Sequence, residues 1–208
     1  MKTKIILPAA LILVLLGTLI FASACGKNDG EASENDTEAA QRDKYYTLSE
    51  ENEQAFFAGL TEWINKEDID EFEYDYKGDL YLTVSGHVYG VEKKRDISIV
   101  YYKGSESLYW SDGNKFFKAP YGAIEDNCAI ARKKDGKYKI LTVIELRDGA
   151  LLEEDLEEVF PYKIRVLKEN YEKEGSSLEP EGAQDRKLEM AKKHFDLQYG
   201  GSKDLEEK

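Results

Sequence analysis

Chemistry in this chain depends on a small number of side chains. Its 208 residues include two histidines, His87 and His194, and two cysteines, Cys25 and Cys128. These are too few for a three-histidine or cysteine-cluster zinc site. The sequence also lacks a His-Glu-x-x-His pair, a Gly-x-Ser-x-Gly turn and a phosphate-binding glycine-rich loop with lysine. We therefore predict no metal site, no cofactor and no catalytic residue.

Each histidine has a structural interpretation. His87 lies among tyrosines and serines of a predicted strand, where we expect a solvated or hydrogen-bonded imidazole rather than a general base. His194 follows Lys192 and Lys193 near a predicted helix end, where the helix dipole favours basic groups. A Ser-His-Asp triad would need one of these two, and neither pattern favours it.

Carboxylates are abundant, and a glycosidase-like pair is the alternative source of catalysis. The densest run is Glu153, Glu154, Asp155, Glu157 and Glu158. Consecutive acids at a helix start are normally a solvated face that suits the helix dipole, and we interpret this run in that way. A second acidic cluster at residues 68–75 lacks the glycine and terminal glutamate spacing of an EF-hand loop.

Aromatic residues supply the candidate ligand site. The chain has fourteen tyrosines and two tryptophans, many of them on predicted strands. Aromatic faces beside carboxylates suit stacking and hydrogen bonding to a sugar or peptide. We select Tyr109, Trp110, Tyr89 and His87 as candidate ligand-binding residues. The alternative is that these aromatics serve only as strand formers.

The N-terminus has the layout of an export signal. Lys2 and Lys4 form a basic head, residues 5–21 are almost wholly apolar, and small residues lead to a cysteine in Ala22-Ser23-Ala24-Cys25. Two basic residues ahead of an apolar segment hold the head inside, so the rest of the chain is expected outside the cytoplasm.

These residues resemble the precursor of a bacterial lipoprotein. The resemblance covers residues 1–25, and Ala22 stands where such signals most often carry leucine. It implies that residues 1–24 are a signal peptide cleaved between Ala24 and Cys25. It also implies a diacylglycerol on the Cys25 thiol, which would anchor the protein to the extracytoplasmic face of the cell membrane.

Two other fates of this segment remain open. Its length is sufficient for an uncleaved transmembrane anchor. Ordinary cleavage after Ala24 would instead release a secreted product. Cys128 lies in a predicted buried strand, and we expect an inert core thiol there. A disulfide between Cys25 and Cys128 is the alternative if lipidation does not occur.

Charge limits the partners. The formal charge is -13, from 29 basic and 42 acidic residues, which argues against nucleic-acid binding. Loss of Lys2 and Lys4 on processing makes the chain still more negative, so anionic headgroups should repel it and the lipid must hold it. Residues 25–44 form the lipidated N-terminus and a tether without large apolar side chains. We predict that this tether is a disordered spacer spanning about 25 Å, with an interaction role as the alternative.

The folded domain is expected at residues 45–199. Thr47 and Glu50 have capping-box spacing, and apolar residues at intervals of three and four predict an amphipathic helix over residues 49–65. Alternation with period two from Phe72 onward predicts antiparallel strands. The pairs at 112–113 and 135–136 are Asp-Gly and predict tight type I′ hairpin turns. Glycines at positions 86 and 90 predict a bulge or bend.

The C-terminal part is predicted to be mainly helical. A short acidic helix follows Gly149 and is ended or kinked by Pro161, and residues 162–171 fit either a strand or a helix. A last helix containing Leu188 and Phe195 ends at Gly200. Residues 200–208 are expected to form a flexible tail.

These elements predict an α+β fold in which an N-terminal amphipathic helix packs on a curled antiparallel meander, followed by C-terminal helices. By layer analogy the closest arrangement is a cystatin-like or nuclear-transport-factor-like cone, with a small barrel as the alternative. Neither analogy supplies binding residues.

Three classes of function fit the sequence. We favour a membrane-anchored, extracytoplasmic, non-enzymatic binding or interaction module for a cell-wall glycan, a peptide or an envelope protein. The alternatives are a carboxylate-based extracytoplasmic hydrolase and an accessory subunit of an envelope complex.

Overall fold

The computed structural model describes residues 45–67, 69, 78–113, 115–147, 149–174, 182–199 and 205–206. The predicted signal peptide, Cys25 and the tether lie outside these residues, as does the acidic cluster at 68–75 apart from Ile69. The described residues are α+β, as predicted, with four helices around an open, mainly antiparallel sheet. No helix among them combines the length and hydropathy needed to cross a bilayer.

The elements follow one another in a simple order. In chain order they are β1 (Tyr45–Tyr46), α1 (Glu50–Glu67), β2 (Asp79–Lys94), β3 (Ile97–Ser111), β4 (Phe116–Lys118), β5 (Ile124–Lys134), β6 (Lys137–Glu145), α2 (Leu152–Val159), α3 (Tyr162–Lys173), α4 (Ala183–Tyr199) and β7 (Leu205–Glu206). The segment predicted as strand or helix is therefore the helix α3. The short β7, within the segment predicted as a tail, pairs in parallel with β4.

The long β2–β3 hairpin forms the centre of the sheet. β1 pairs with the end of β2, β5 pairs with the first half of β3 and with β6, and β4 pairs with the end of β3. The register shifts between Val88 and Gly90, close to the predicted bulge. Within the described ranges the sheet does not close on itself, so the alternative barrel is not formed there.

The two Asp-Gly pairs behave differently. Asp135 and Gly136 both have positive φ, 51° and 77°, and form the predicted two-residue turn between β5 and β6. The tight turn predicted at 112–113 is wrong, because β3 and β4 first pair at Ser111 and Phe116 and leave four residues between them. Asp112 instead accepts a hydrogen bond from the Lys115 N–H at 3.0 Å, which closes a wider loop.

α1 packs on one face of the sheet and contacts both β2 and β6. Phe56 and Leu60 are fully buried there, in a cluster with alternate residues of the strands such as Val84 and Tyr102. Neighbouring strand residues point to the opposite face. That face carries two further apolar clusters, one with Phe160 and Ile164 near α2 and α3, and one with Ala191 and Phe195 of α4. All three clusters lie within residues 45–199, so this part of the chain contains its own core.

Candidate functional site

Side chains of α1 cover the outer edge of β2. Asn65 donates from Nδ2 to the Leu82 carbonyl at 2.6 Å and accepts from the Leu82 N–H at 2.9 Å. Thr61 Oγ1 accepts from the Val84 N–H at 3.0 Å. Further along, the Val88 N–H donates to Glu53 Oε1. The helix thus satisfies edge groups that a neighbouring strand would otherwise bond.

Every fourth residue of α1 faces every second residue of β2, because these two intervals are similar in length. Four residues of an α-helix rise about 6 Å, and two residues of a strand advance about 6.6 Å. Positions 53, 57, 61 and 65 of α1 therefore meet positions 88, 86, 84 and 82 of β2 in turn. Three of these four helix positions carry polar side chains, and the fourth is Phe57.

At Gly86 the facing residue of α1 is Phe57, which has no polar group that could bond the Gly86 backbone. Because the edge groups of Leu82, Val84 and Val88 point toward α1, strand alternation points those of Gly86 the same way. A Cβ on Gly86 would lie 3.0 Å from Cζ of Phe57 and 1.9 Å from the Lys103 carbonyl oxygen, so only glycine fits. The gap in the edge coverage is therefore at Gly86.

A cavity of about 460 Å³ lies above this gap, between α1, α4 and the edge of β2. It has acidic, basic and apolar walls. It is lined by Glu50, Glu53, Gln54, Phe57, Ala58, Ser85, Gly86, His87, Arg186, Glu189, Met190 and Lys193. We call it the Gly86 cavity. Its volume is in the range of small-ligand sites.

α4 is fixed to the sheet by two basic residues beside this cavity. Arg186 Nε donates to Ser85 Oγ at 3.1 Å, and Lys187 Nζ donates to Ser105 Oγ at 2.9 Å. Lys187 is completely buried. The part of β2 and β3 beside it carries a row of buried hydroxyl residues that includes Thr83 and Ser107. Sequence reasoning missed this contact because it assigned only apolar residues of α4 to the core. The alternating Ser and Thr of β2 and β3 were the available signal.

His87 lies at the end of the Gly86 cavity and links it to a second polar cluster. Its Nδ1 lies 3.2 Å from Glu53 Oε1, and its ring stacks on Tyr171 with a centroid distance of 4.1 Å. Tyr89, 5.8 Å away between ring centroids, donates its hydroxyl to Asp126 at 2.6 Å. Burial, followed by the Asp126 charge, raises the pKa of Tyr89 well above its usual range, so this phenol remains a donor.

Lys168 completes the second cluster. Its Nζ lies 3.3 Å from Asp126 Oδ2 and also bonds Glu172. Burial lowers the pKa of Lys168, but the hydrogen bond to Glu172 and the charge of Asp126 outweigh it, so the pKa is raised overall. The cluster is a paired structural network next to the cavity, and its tyrosine and lysine stay protonated at neutral pH.

Comparisons with known proteins found no match. No protein-family model, no curated protein and no solved structure matches the chain. What the site can bind is therefore inferred from its own residues.

The four candidate ligand residues are divided between different parts of the fold. His87 and Tyr89 are neighbours, and His87 lines the Gly86 cavity. Tyr109 is only 1% exposed and packs with Phe116 in the cluster under α4. The Trp110 side chain points to the opposite face and stacks on Phe117 at 4.5 Å. Tyr109 and Trp110 thus do not share a face on which one ligand could stack.

The acidic run of α2 serves a structural contact. Asp155 is buried and accepts hydrogen bonds from the backbone and guanidinium of Arg147. These bonds hold the pKa of Asp155 below its usual value. Within the described residues, no group of three or more His, Cys, Asp or Glu side chains is arranged to hold a metal ion.

Cys128 lies in β5 and is 1% exposed. Burial, followed by the charge of Glu92, raises the pKa of its thiol far above the usual range. The thiolate is therefore suppressed at neutral pH, which agrees with the predicted inert core thiol.

Proposed function

We propose that this protein is a lipid-anchored extracytoplasmic binding module that holds a short, zwitterionic peptide in the Gly86 cavity. The observation that carries the proposal is the coincidence of three features at one place. The cavity lies over Gly86. Among the edge positions 82, 84, 86 and 88 of β2, Gly86 is the one that α1 faces with an apolar residue, Phe57. Its walls bear charges of both signs, and it is large enough for a small ligand.

The wall residues suit the two ends of a peptide. Lys193 can bind a carboxylate, and Glu50 and Glu189 can bind an ammonium group. Gly86 of β2 lies at the floor of the cavity between these charges. Ala58 and Met190 supply apolar surface for a small side chain. A peptide with free termini carries charges of both signs that match these walls, whereas a neutral glycan carries none, so the charge pattern favours a peptide.

Binding without catalysis is the favoured activity. Glu53 is the carboxylate closest to His87, and it is already bonded to the Val88 N–H. Asp155, in the densest acidic run, is buried and paired with Arg147, and neither residue lines the Gly86 cavity. Neither of these two arrangements places a free acid opposite a second one, as a carboxylate hydrolase requires. The other carboxylates of the Gly86 cavity are Glu50, which accepts a hydrogen bond from Gln54 at 3.2 Å, and Glu189, and we assign both to binding an ammonium group.

The shape proposed for the domain is a cone in which the sheet wraps a helix. α1 contacts both β2 and β6, which flank the β2–β3–β5–β6 part of the sheet. A sheet whose two sides both reach one helix must curl around that helix. This arrangement supports the analogy with cystatin-like or nuclear-transport-factor-like folds, and the analogy rests only on how the helix and the sheet are layered.

Titration with di- and tripeptides tests the binding site. Lys193 lines the cavity and its neighbour Lys192 does not, although both are exposed on α4. We expect Lys193→Gln to weaken peptide binding about fivefold to tenfold, and Lys192→Gln to leave it unchanged. A peptide with an amidated C-terminus lacks the carboxylate that Lys193 is proposed to bind. Its affinity for the wild-type protein should therefore equal the affinity of the free peptide for Lys193→Gln. Equal affinities for the two variants, or binding of glycans but not peptides, would reject the peptide assignment.

The anchor has a separate test. Metabolic labelling with a radioactive or clickable fatty acid should label the wild-type protein. The Cys25→Ala variant should stay unlabelled and accumulate as an unprocessed precursor. Persistent labelling of this variant would exclude Cys25 as the lipidated residue.

A further inference from the structure

Two neighbouring turns carry a concentration of positive charge in this acidic chain. Segments 92–96 and 132–139 contain three acidic residues, Glu92, Asp96 and Asp135. They contain eight basic residues: Lys93, Lys94, Arg95, Arg132, Lys133, Lys134, Lys137 and Lys139. We call the surface formed by these eight side chains the basic end.

The two turns lie side by side at one end of the sheet. Ser98 of β3 pairs with Ala131 of β5, directly beside both turns. Arg132 of one turn and Asp96 of the other form a salt bridge at 2.8 Å. A second cavity of about 490 Å³ lies between the turns and is lined by residues of both, including Lys93 and Lys134. The basic end is therefore one continuous surface.

Most of this charge is not neutralised by an acidic partner. Arg132 pairs with Asp96, Lys94 lies 3.5 Å from Glu92, and Lys133 donates to Asn52. The others are all exposed, and in the described part of the chain no carboxylate lies within salt-bridge distance of them: Lys93, Arg95, Lys134, Lys137 and Lys139. These five cations are available to an external anion.

The chain enters the domain at the basic end. Tyr45 and Tyr46 of β1 pair with Glu92 and Val91, immediately before the first basic turn. Tyr46 also lines the cavity between the two turns. Cys25 precedes Tyr45 by twenty residues, which places the two at most about 70 Å apart in a fully extended chain. An anchor at Cys25 would therefore be joined to the domain at its basic end, within reach of the membrane.

We propose that the basic end lies against the anionic phospholipid headgroups of the membrane to which the protein is anchored. This orientation rests on the proposed lipid anchor, whereas the charge of the surface does not. The net charge predicts repulsion, but charges more than about 10 Å apart in solution are largely screened. The local excess of cations therefore outweighs the net negative charge and attracts the basic end to the anionic headgroups. The basic end thus supplies a second, electrostatic attachment in addition to the acyl chains.

Vesicle sedimentation with the unlipidated chain, residues 26–208, tests the surface without the anchor. Wild type should sediment with vesicles containing phosphatidylglycerol, remain in solution with pure phosphatidylcholine, and be released by high salt. A variant with Lys93, Arg95, Lys134 and Lys137 changed to Gln should bind more weakly, by about fivefold for each cation removed. The matched control changes Lys66, Lys118, Lys173 and Lys192 to Gln, which alters the net charge equally, and should bind like wild type.

Three results would overturn the proposal: no binding of wild type to phosphatidylglycerol vesicles, equal loss in the two fourfold variants, or tighter retention on duplex DNA than on the vesicles at the same salt. None of them bears on lipidation, which the labelling of Cys25 decides separately. Circular dichroism of both variants should match that of wild type, because all eight substituted residues lie outside the three buried clusters.

Discussion

The carboxamide of Asn65 takes the place of a neighbouring strand beside Leu82. It donates to the Leu82 carbonyl at 2.6 Å and accepts from the Leu82 N–H at 2.9 Å, so one side chain satisfies both edge groups of one residue. Thr61 and Glu53 continue this coverage along β2. An exposed strand edge invites pairing with another chain, and α1 prevents this at Leu82, Val84 and Val88.

Asn65→Ala should lower the free energy of unfolding by about 2 kcal/mol, because it leaves a partly buried donor and acceptor unsatisfied. Urea denaturation measures the change. Gln54→Ala is the control, since the exposed Gln54 carboxamide bonds the exposed Glu50 side chain at 3.2 Å, and its effect should stay below about 0.5 kcal/mol. Equal effects of the two substitutions would contradict the edge role of Asn65.

Gly59→Ala should destabilise the domain although alanine is the better helix former. A Cβ at position 59 would lie 2.3 Å from the Tyr138 carbonyl oxygen, so α1 would have to move away from β6. Overpacking of this kind costs about 1–3 kcal/mol. Helix propensity alone predicts the opposite sign, a gain of about 1 kcal/mol. A higher melting temperature in Gly59→Ala would show that the helix does not approach β6 so closely.

The sequence was most informative where a structural feature depends on adjacent residues. Asp135 and Gly136 form their tight turn because both residues accept positive φ, which is a local property. Gly86 could be predicted as a bend but not as the floor of a cavity, because that depends on Phe57 facing it from another element. Lys187 escaped prediction for the same reason, since its burial depends on hydroxyl groups of the distant β2 and β3.

Tyr109 and Trp110 illustrate a second limit of sequence reasoning. Their composition suggested a shared aromatic surface, although strand alternation sends adjacent side chains to opposite faces. The α+β class followed from the change of period along the chain, and it is confirmed. Which face α4 covers was not predictable, because its apolar stripe fits either side of the sheet.

Asp155→Asn should destabilise the protein at neutral pH and have less effect in acid. The Arg147 hydrogen bonds lower the pKa of Asp155 from 3.8, its usual value, in the folded state. Its contribution to stability is therefore present above that value and is lost as the pH falls through the lowered pKa. Melting temperatures of wild type and variant should converge below about pH 3.8. Glu154→Gln should change little at any pH, because Glu154 is exposed and lies 3.7 Å from Arg147.

His194→Gln should reduce the loss of stability in mild acid. Burial, with the ring stacked on Tyr81 at 3.9 Å, lowers the pKa of His194 below 6.5 in spite of Gln198 and Asp79, which act in the opposite direction. The unfolded chain then binds the proton more tightly, so stability falls as the pH drops through 6.5 toward the lowered pKa. Melting curves between neutral pH and pH 5 should fall more steeply for wild type. Parallel curves for the two proteins would refute a half-buried, neutral His194.

The proposed attachment at Cys25 would join the membrane to the domain at its basic end. In the proposed orientation the Gly86 cavity, eight to ten residues back along β2 from Arg95, would lie farther from the membrane than the basic end. Mass spectrometry of the protein purified from membranes of its own host measures this attachment directly. We predict a mature chain that begins at Cys25 and carries a diacylglycerol on its sulfur. A chain that retains Met1, or one that begins at Cys25 with an unmodified thiol, would contradict the account.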